Sequence, residues 1–433
     1  MKRLFPDYTY GPGPRTNCWW DETIASPDWP VAQGDLSVDV AIVGGGFTGV
    51  SAALHLSEAG VAVAVLEAGT PGWGASGRNG GFCCLGGSKL SPGAMVRQFG
   101  KAAAQDYAQA EEDAVHLVSD LLGAHNIDAD VHSKGETQLA HTARAMEKLR
   151  RAADASGTLH EPGDLPGLGF GGGFHGGYTN PLGFAVNPRK YLFGLAEAAR
   201  SRGAKLFQSS AVETIGHTKS GFDVQTRLGR VKAAKVLICT NGYSSEDVPR
   251  WMSGRYMPAQ STVLVTRPLS DSELQAQGWT TDQMSYDTRN LLHYFRLMPD
   301  RRFLFGMRGG LWSSPRAEAA IRRKAVQDFR QMFPHWAGVE VTNMWSGMVC
   351  LSRNLTPYVG PIAGQPGLFA GFAYHGNGVA MGTYCGRALA RMALGQEAGL
   401  PGPIAHPPGR IPFGRWRRVL MPPAYAVMAL ADI

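Results

Sequence analysis

Three glycines spaced Gly44-x-Gly46-x-x-Gly49 leave a β-branched apolar run, Val38 to Val43, and enter a helical segment, Val50 to Ala59. Glycines so placed let the backbone turn tightly, bring N–H groups against a pyrophosphate at a helix N-terminus, and let helix and strand pack closely. Gly60 stops the helix, Val61 to Leu66 reads as a second buried strand, and Glu67 stands at its end, 18 residues beyond Gly49. A carboxylate there accepts hydrogen bonds from ribose hydroxyls and disfavours a 2′-phosphate, so this βαβ unit points to FAD or NAD rather than NADP. A purely structural glycine turn has no use for Glu67.

A second turn-rich stretch, Trp73-Gly74-Ala75-Ser76-Gly77-Arg78-Asn79-Gly80-Gly81-Phe82, follows at once. Its backbone donors suit a second set of phosphates or a flavin ring, which a simple nicotinamide enzyme does not need at that place. Asp39 to Gly49, Leu66-Glu67-Ala68 and Gly72 to Gly81 together resemble the D-amino-acid oxidase and glycine oxidase superfamily of FAD oxidoreductases. Similarity is greatest to its γ-glutamylputrescine oxidase branch. The resemblance implies an α/β FAD-binding domain (Rossmann-like, glutathione-reductase type) interleaved with an α+β substrate domain on an antiparallel or mixed sheet. An arm over residues 1–36 precedes the FAD-binding domain, assigned to 37–95, 181–255 and 345–433. The substrate domain takes 96–180 and 256–344.

Further along, Asn187-Pro188 with Tyr191 to Gly203 and Val212 to Ile215 is similar to the family's helix and the strand at the adenine side. Leu237 to Tyr243 resembles the strand and turn that return to the cofactor, and Tyr374-His375-Gly376-Asn377-Gly378-Val379 the element holding the flavin from its pyrimidine side. The cofactor contacts so implied are Gly44, Gly46, Phe47, Thr48, Gly49, Glu67, Ala68, Trp73, Gly74, Ala75, Ser76, Arg78, Asn79, Gly80 and Gly81. To these it adds Val212, Thr240, Asn241, Gly242, Gly376, Asn377, Gly378 and Val379. A helix beginning after Gly378 would set a positive dipole end against charge on reduced flavin.

Where many members read Ser-Gly-His-Gly, this chain has His375-Gly376-Asn377-Gly378, and Ala380 replaces the lysine with which sarcosine oxidases hold the substrate carboxylate. That departure favours an amine over a small α-amino acid. Cys350 lies near the region from which some relatives bond flavin covalently, but Val349-Cys350-Leu351-Ser352 is closer to the noncovalent branch, so FAD is expected to be noncovalent. The reaction implied is oxidation of a primary or secondary amine to an imine by hydride transfer to flavin N5, with O2 as acceptor and H2O2 as product. Alternatives are an amino-acid dehydrogenase passing electrons to a quinone or carrier, and a flavin- or nucleotide-binding module without redox chemistry. Positioning residues expected beside the ring are His375, Asn377, Tyr374, Tyr294, Arg296 and Phe82, with Cys83 and Tyr256 as further candidates. Tyr294 and Arg296 read equally well as a satisfied sheet pair, and Tyr294-Phe295-Arg296 beside Arg301, Arg302 and Arg308 could supply a cation for a substrate carboxylate.

The remaining composition excludes other classes. With 433 residues, 44% apolar and 18% charged, the chain is neither disordered nor solvating. Its 56 glycines and 27 prolines lack a Gly-X-Y period, which excludes collagen. A net charge of +7 with no long basic run gives nucleic-acid binding little support. Six scattered cysteines fit reduced thiols rather than a zinc site. No apolar run spans a membrane, and an N-terminus without an apolar signal core leads to a cytoplasmic expectation. The tail from Arg410, basic and then apolar, suggests a peripheral membrane or subunit contact, or an arm packed on its own domain; Pro422-Pro423 should break any continuous helix there. Helices are predicted over 101–123, 142–155, after Pro188 and over 378–394. Strands are predicted over 212–215, 222–228, 235–239 and 368–373. Gly163 to Gly177, eight glycines in fifteen residues, reads as a surface connection or as a loop over a ligand.

Overall fold

Strand Gly34–Val43 carries its apolar side chains alternately to two faces, as the pleat of a β-strand requires. Val40 and Ile42 enter one core with Val63 and Val65, while Ala41 and Val43 enter another with Ala64 and Leu66. Burial on both faces forces a central position in a parallel sheet. In the computed structural model, which describes residues 1–432, this strand lies between Val63–Leu66 and Gly229–Ile238, parallel to both. The sheet runs Tyr358–Pro361, Leu368–Phe372, Gly229–Ile238, Gly34–Val43, Val63–Leu66, Lys205–Phe207, with a hairpin of Val212–Thr218 and Gly221–Thr226 added to Gly229–Ile238. Helix Phe47–Glu58 packs under it against Ala380–Ala393. The approach is close enough that a Cβ at Gly386 would come 2.4 Å from the Thr48 carbonyl oxygen.

A second eight-stranded sheet runs Val341–Leu351, Met257–Pro268, Arg302–Arg308, His293–Leu297, Met284–Asp287, Glu136–Leu139, Gly177–Asn180, Thr158–His160. It is antiparallel except between Met284–Asp287 and Glu136–Leu139. One face is covered by helix Pro315–Met332 over an aromatic core of Trp279, Phe295, Phe303, Phe305, Phe329, Phe333 and Trp336. The two architectures are those of a Rossmann-like FAD-binding domain and a mixed-sheet substrate domain. The expected boundary after residue 344 falls inside strand Val341–Leu351, which pairs along its length with Met257–Pro268.

Observed helices Lys101–Ala124, Ala143–Ala152, Pro188–Ser201 and Ala380–Ala393 follow the predicted ones closely. Strand Gly34–Val43 starts four residues before Val38, taking three residues from the expected arm. The short strand expected over 235–239 is the end of the ten-residue Gly229–Ile238, which parallel pairing with Gly34–Val43 extends. The tail departs further from expectation. Met421–Ala431 is a continuous helix, and Pro422 and Pro423 occupy its first turn, where the missing N–H groups would be unpaired anyway. Among the described residues no helix is long and apolar enough to cross a membrane.

Candidate active site

The turn after strand Gly34–Val43 requires glycine. Gly44 sits at φ +105°, where a Cβ would stand 2.7 Å from the Cys239 carbonyl oxygen, and a Cβ at Gly49 would stand 2.0 Å from the Gly44 oxygen. These contacts seat the N-terminus of helix Phe47–Glu58 on a cavity of about 330 Å³. The Glu67 carboxylate, at the end of the next strand, accepts hydrogen bonds from the N–H groups of Gly45 (2.8 Å) and Gly69 (2.8 Å) and lines the same cavity. Burial raises its pKa, against the lowering effect of those N–H donors. The Phe47 N–H donates to Ser76 Oγ at 3.0 Å, joining the helix start to the second glycine-rich turn. Across the cavity stand Val212, Thr240 and Asn241, and Tyr243, whose buried hydroxyl has no hydrogen-bond partner among the described residues.

A second cavity of about 300 Å³ shares Ala75, Asn79, Met348, Val349 and Gly376 with the first and continues into the mixed sheet. Its lining includes Phe82, Tyr286, Tyr294, Lys89, Glu136 and Arg308. Phe82 meets Tyr294 edge to face at 5.5 Å, and the Tyr294 hydroxyl lies 3.1 Å from Ser261 Oγ. Arg308 is half-buried, and desolvation lowers its pKa; Nη2 donates to the His375 carbonyl oxygen at 3.2 Å. Burial also pushes Lys89 down to about 7 and Glu136 up to about 7.

The comparisons with known proteins agree with this geometry. The sequence model of the family described as DAO, FAD dependent oxidoreductase, matches residues 39–392. The chain belongs to the DAO family of FAD-dependent oxidoreductases. It is 28% identical to gamma-glutamylputrescine oxidoreductase of Escherichia coli (strain K12) over 393 residues, 89% of this chain and 90% of that one. It is 30% identical over 397 residues to probable oxidoreductase OrdL of Rhizobium meliloti (strain 1021), covering 88% and 89%. The crystal structure of glycine oxidase from Geobacillus kaustophilus shares the fold, with a TM-score of 0.68 at 21% identity over 84% of this chain and 96% of that one.

FAD is the cofactor of the DAO family, and the residues present fit it. A glycine turn with no room for Cβ atoms faces the first cavity beside an acidic strand end and the unpartnered Tyr243 hydroxyl. Of the residues expected at the cofactor, Gly44, Gly46, Phe47, Thr48, Glu67, Ala68, Trp73, Gly74, Ala75, Ser76, Asn79, Val212, Thr240, Asn241, Gly376 and Gly378 line that cavity. Gly49, Gly81, Gly242 and Val379 lie behind the lining and serve close packing, while Arg78, Gly80 and Asn377 line the second cavity. Arg78 is held by carbonyl oxygens, Nε donating to Trp73 (2.9 Å) and Nη1 to Ser346 (2.9 Å).

Among the expected positioning residues, Tyr374 lines the first cavity and receives a hydrogen bond from Thr48 Oγ1 at 2.8 Å. Tyr294, Phe82 and Asn377 line the second. Two residues lie elsewhere. His375 is fully buried outside both cavities: Nδ1–H donates to the Gly87 oxygen (2.8 Å) and Nε2 accepts from the Ser352 N–H (3.1 Å), so the ring is neutral. Burial pushes its pKa to about 3. Arg296 donates to the Val186 carbonyl oxygen at 2.8 Å and to His132 Nε2 at 2.9 Å, with its Nε left without a partner among the described residues. Cys83 and Tyr256 also lie outside both cavities, Tyr256 with its hydroxyl donating to the Ser244 oxygen at 2.8 Å. The glycine-rich stretch 163–177 lines neither cavity; Gly171 packs on the Gln277 carbonyl, which is the surface-connection reading.

Asn377 Nδ2 donates to the Leu85 oxygen at 2.6 Å, so His375 and Asn377 clamp opposite ends of the segment Leu85–Gly87 that walls the second cavity. Sequence reasoning missed Lys89, Glu136 and Tyr286, single polar residues on unrelated segments with no spacing to join them. It also missed Met1, Arg3 and Tyr10, by which the arm closes over the first cavity. Trp20 and Trp29 do pin that arm, and Trp20 Nε1 donates to the Asn79 carbonyl oxygen at 2.8 Å.

Proposed function

We propose that the chain oxidises the C–N bond of a primary or secondary amine that carries an anionic group at its far end. The observation that carries this reading is Arg308: a half-buried guanidinium that lines the second cavity, has only the His375 carbonyl oxygen as hydrogen-bond partner, and takes part in no ion pair among the described residues. A substrate carboxylate is the fork's natural partner. The relation to gamma-glutamylputrescine oxidoreductase supports an amine as the group oxidised, as does Ala380 in place of a lysine.

The glycine turn, Glu67, the turn Trp73–Ser76 and Thr240–Asn241 would hold FAD noncovalently, and it would supply the two-electron acceptor. The protein's part is placement. Met348 stands where the two cavities meet and Phe82 and Tyr294 line the second, and these largely apolar side chains keep water from the reacting carbon. Arg308 anchors the distal carboxylate, and the clamp of His375 and Asn377 fixes the facing segment, so the amine is held in one orientation. The imine leaves to be hydrolysed by water to an aldehyde and an amine or ammonia, and dioxygen takes the electrons, becoming hydrogen peroxide. Cys350 lines the first cavity, but burial pushes its thiol up to about 12, which leaves it unreactive toward covalent attachment.

A dehydrogenase that hands its electrons to a quinone or carrier is favoured by one feature, the exposed apolar side chains of the tail: Trp416, Val427 and Leu430 are 64%, 66% and 71% exposed. Anaerobic titration of the holoenzyme with amines, followed by air, decides. Bleaching of the flavin band that recovers at once in air is the expected result; bleaching that persists establishes the dehydrogenase, and no bleaching by any amine overturns both.

A further inference from the structure

Between Glu397 and Asp432 the chain has no acidic residue, while Arg410, Arg415, Arg417 and Arg418 supply four cations. Two of these fasten the segment to the body. Arg417, fully buried, pairs with Glu246 (Nη2 to Oε1, 2.7 Å) and donates through Nε to the Tyr256 carbonyl oxygen at 2.8 Å. Arg418 lies 3.8 Å over the Phe5 ring and donates to the Leu311 carbonyl oxygen at 2.6 Å. Met421 then enters a small core with Met257 and Ala259, and Asp432, just past helix Met421–Ala431, accepts from the Asn290 N–H at 2.8 Å. The helix is thus held at both ends, and the two acids that meet the segment, Glu246 and Asp432, are engaged in holding it.

What this helix turns outward is apolar. A helix docked on a protein surface ordinarily shows polar side chains to water, yet Met421 is the only buried residue here, and from Pro422 to Ala431 the one polar side chain is that of Tyr425. Val427, Met428 and Leu430 are exposed, as are Trp416 and Val419 on the 3-10 helix before it, Gly414–Leu420, and Trp312, whose ring lies 5.9 Å from the Arg418 guanidinium. The remaining arginines, Arg410 and Arg415, are exposed and take part in no ion pair among the described residues.

An apolar helix bordered by tryptophans and cations, with no free anion, has the make-up of a segment that lies in the headgroup layer of a bilayer. Its 11 residues span about 16 Å, too short to cross the hydrocarbon but suited to lie along its edge. A second copy of the chain fits less well, because a two-fold contact brings the Arg410 and Arg415 of both copies to one interface with no acid from the segment to answer them. Anionic lipid phosphates do answer them. We propose that the face formed by residues 410–431 binds a bilayer containing anionic lipids, with Trp416, Val427 and Leu430 entering its apolar edge and Arg410 and Arg415 on the phosphates. Val349 lines both cavities and packs against the same small core as Met421, so the bound face adjoins the candidate active site.

The test is co-sedimentation of the full-chain holoenzyme with two kinds of vesicle, phosphatidylcholine alone and phosphatidylcholine with about one-third phosphatidylglycerol. The wild type is expected to bind the anionic vesicles at least about tenfold more tightly than the neutral ones, the difference shrinking as salt is raised. Val427→Ser combined with Leu430→Ser should weaken binding to anionic vesicles at least about tenfold. Arg410→Gln combined with Arg415→Gln should bring the two kinds of vesicle within about threefold. All four positions are exposed, so FAD content and bleaching by amines should match the wild type, and failure of the amine reading is read separately from failure of this one. A wild type that sediments with neither vesicle or equally with both overturns the proposal, as does unchanged binding by the Val427→Ser, Leu430→Ser variant. So does a dimer in lipid-free ultracentrifugation that this variant takes apart, which would give the face to a second copy.

Discussion

The two adjoining cavities are built on opposite principles. The first is made by backbone: its turn tolerates no Cβ at Gly44, and its single acid, Glu67, is engaged by two N–H groups of its own chain. The second is made by side chains, and its charged members form no ion pair among the described residues. A site for an invariant cofactor can be fixed by sterics and local hydrogen bonds, whereas a site for one particular substrate leaves its charges for the ligand to answer. Specificity in this chain is therefore expected in the second cavity and loading in the first.

The largest effect is expected from Gly49→Ala. The new Cβ meets the Gly44 carbonyl oxygen at 2.0 Å and drives helix from strand, so the purified protein should lose FAD and about 3 kcal/mol of stability, read by absorbance and denaturant melting. Arg308→Met should leave FAD content intact and raise the amine concentration for half-maximal flavin bleaching about a hundredfold. FAD loss in that variant would erase the distinction between the cavities. Glu67→Gln should do the reverse, weakening FAD about tenfold by fluorescence titration while the amine affinity of the fully loaded enzyme is unchanged.

His375 sharpens the contrast because it lies beside both cavities and in neither. Its folded pKa of about 3 is below the unfolded value of about 6.5, so between those values the unfolded chain binds the extra proton. The stability it contributes is complete above pH 6.5 and falls as pH drops toward 3, by up to about 1.4 kcal/mol per unit. His375→Gln should flatten that share of the decline between pH 7.5 and 5.5 and leave the pH profile of amine oxidation near neutrality unmoved. A shifted activity profile would return His375 to the chemistry. The smallest effect is expected from Cys350→Ser: acid precipitation should release all FAD from the wild type and from the variant alike.

These differences also explain what the sequence disclosed. Gly44, Gly46, Gly49 and Glu67 were legible because a backbone-built site constrains residue type at fixed spacing along one short segment. The end of the parallel strand, Val40 to Val43, was legible because burial on both faces makes it continuously apolar, whereas its start at Gly34 to Ser37, largely exposed and mostly polar, was not. Glu136 and Lys89 were not, because a polar residue at one end of a short strand or in a turn looks the same whether it faces water or a cavity, and only the mixed sheet brings the two to one wall. His375 misled for a related reason: its place beside a glycine turn suggests a site, whereas a φ of +50° and two backbone hydrogen bonds give it a structural task. At Pro422-Pro423 the two prolines were read as breakers when they stand at a helix start, a distinction of position rather than composition.

The arm that shuts the first cavity has one more consequence, which concerns time. Its anchors lie far downstream: Lys2 N–H reaches Asp247 Oδ1 at 2.7 Å, Asn17 Nδ2 the Thr342 oxygen at 2.8 Å, Asn343 Nδ2 the Glu22 carboxylate at 2.6 Å, and Arg418 stacks on Phe5 at 3.8 Å. During synthesis, which proceeds from the N-terminus, Trp20 can meet Asn79 early, but the contacts to Thr342, Asn343 and Arg418 cannot form until most of the polypeptide has left the ribosome. The cover over the cofactor cavity is thus begun early and fastened late.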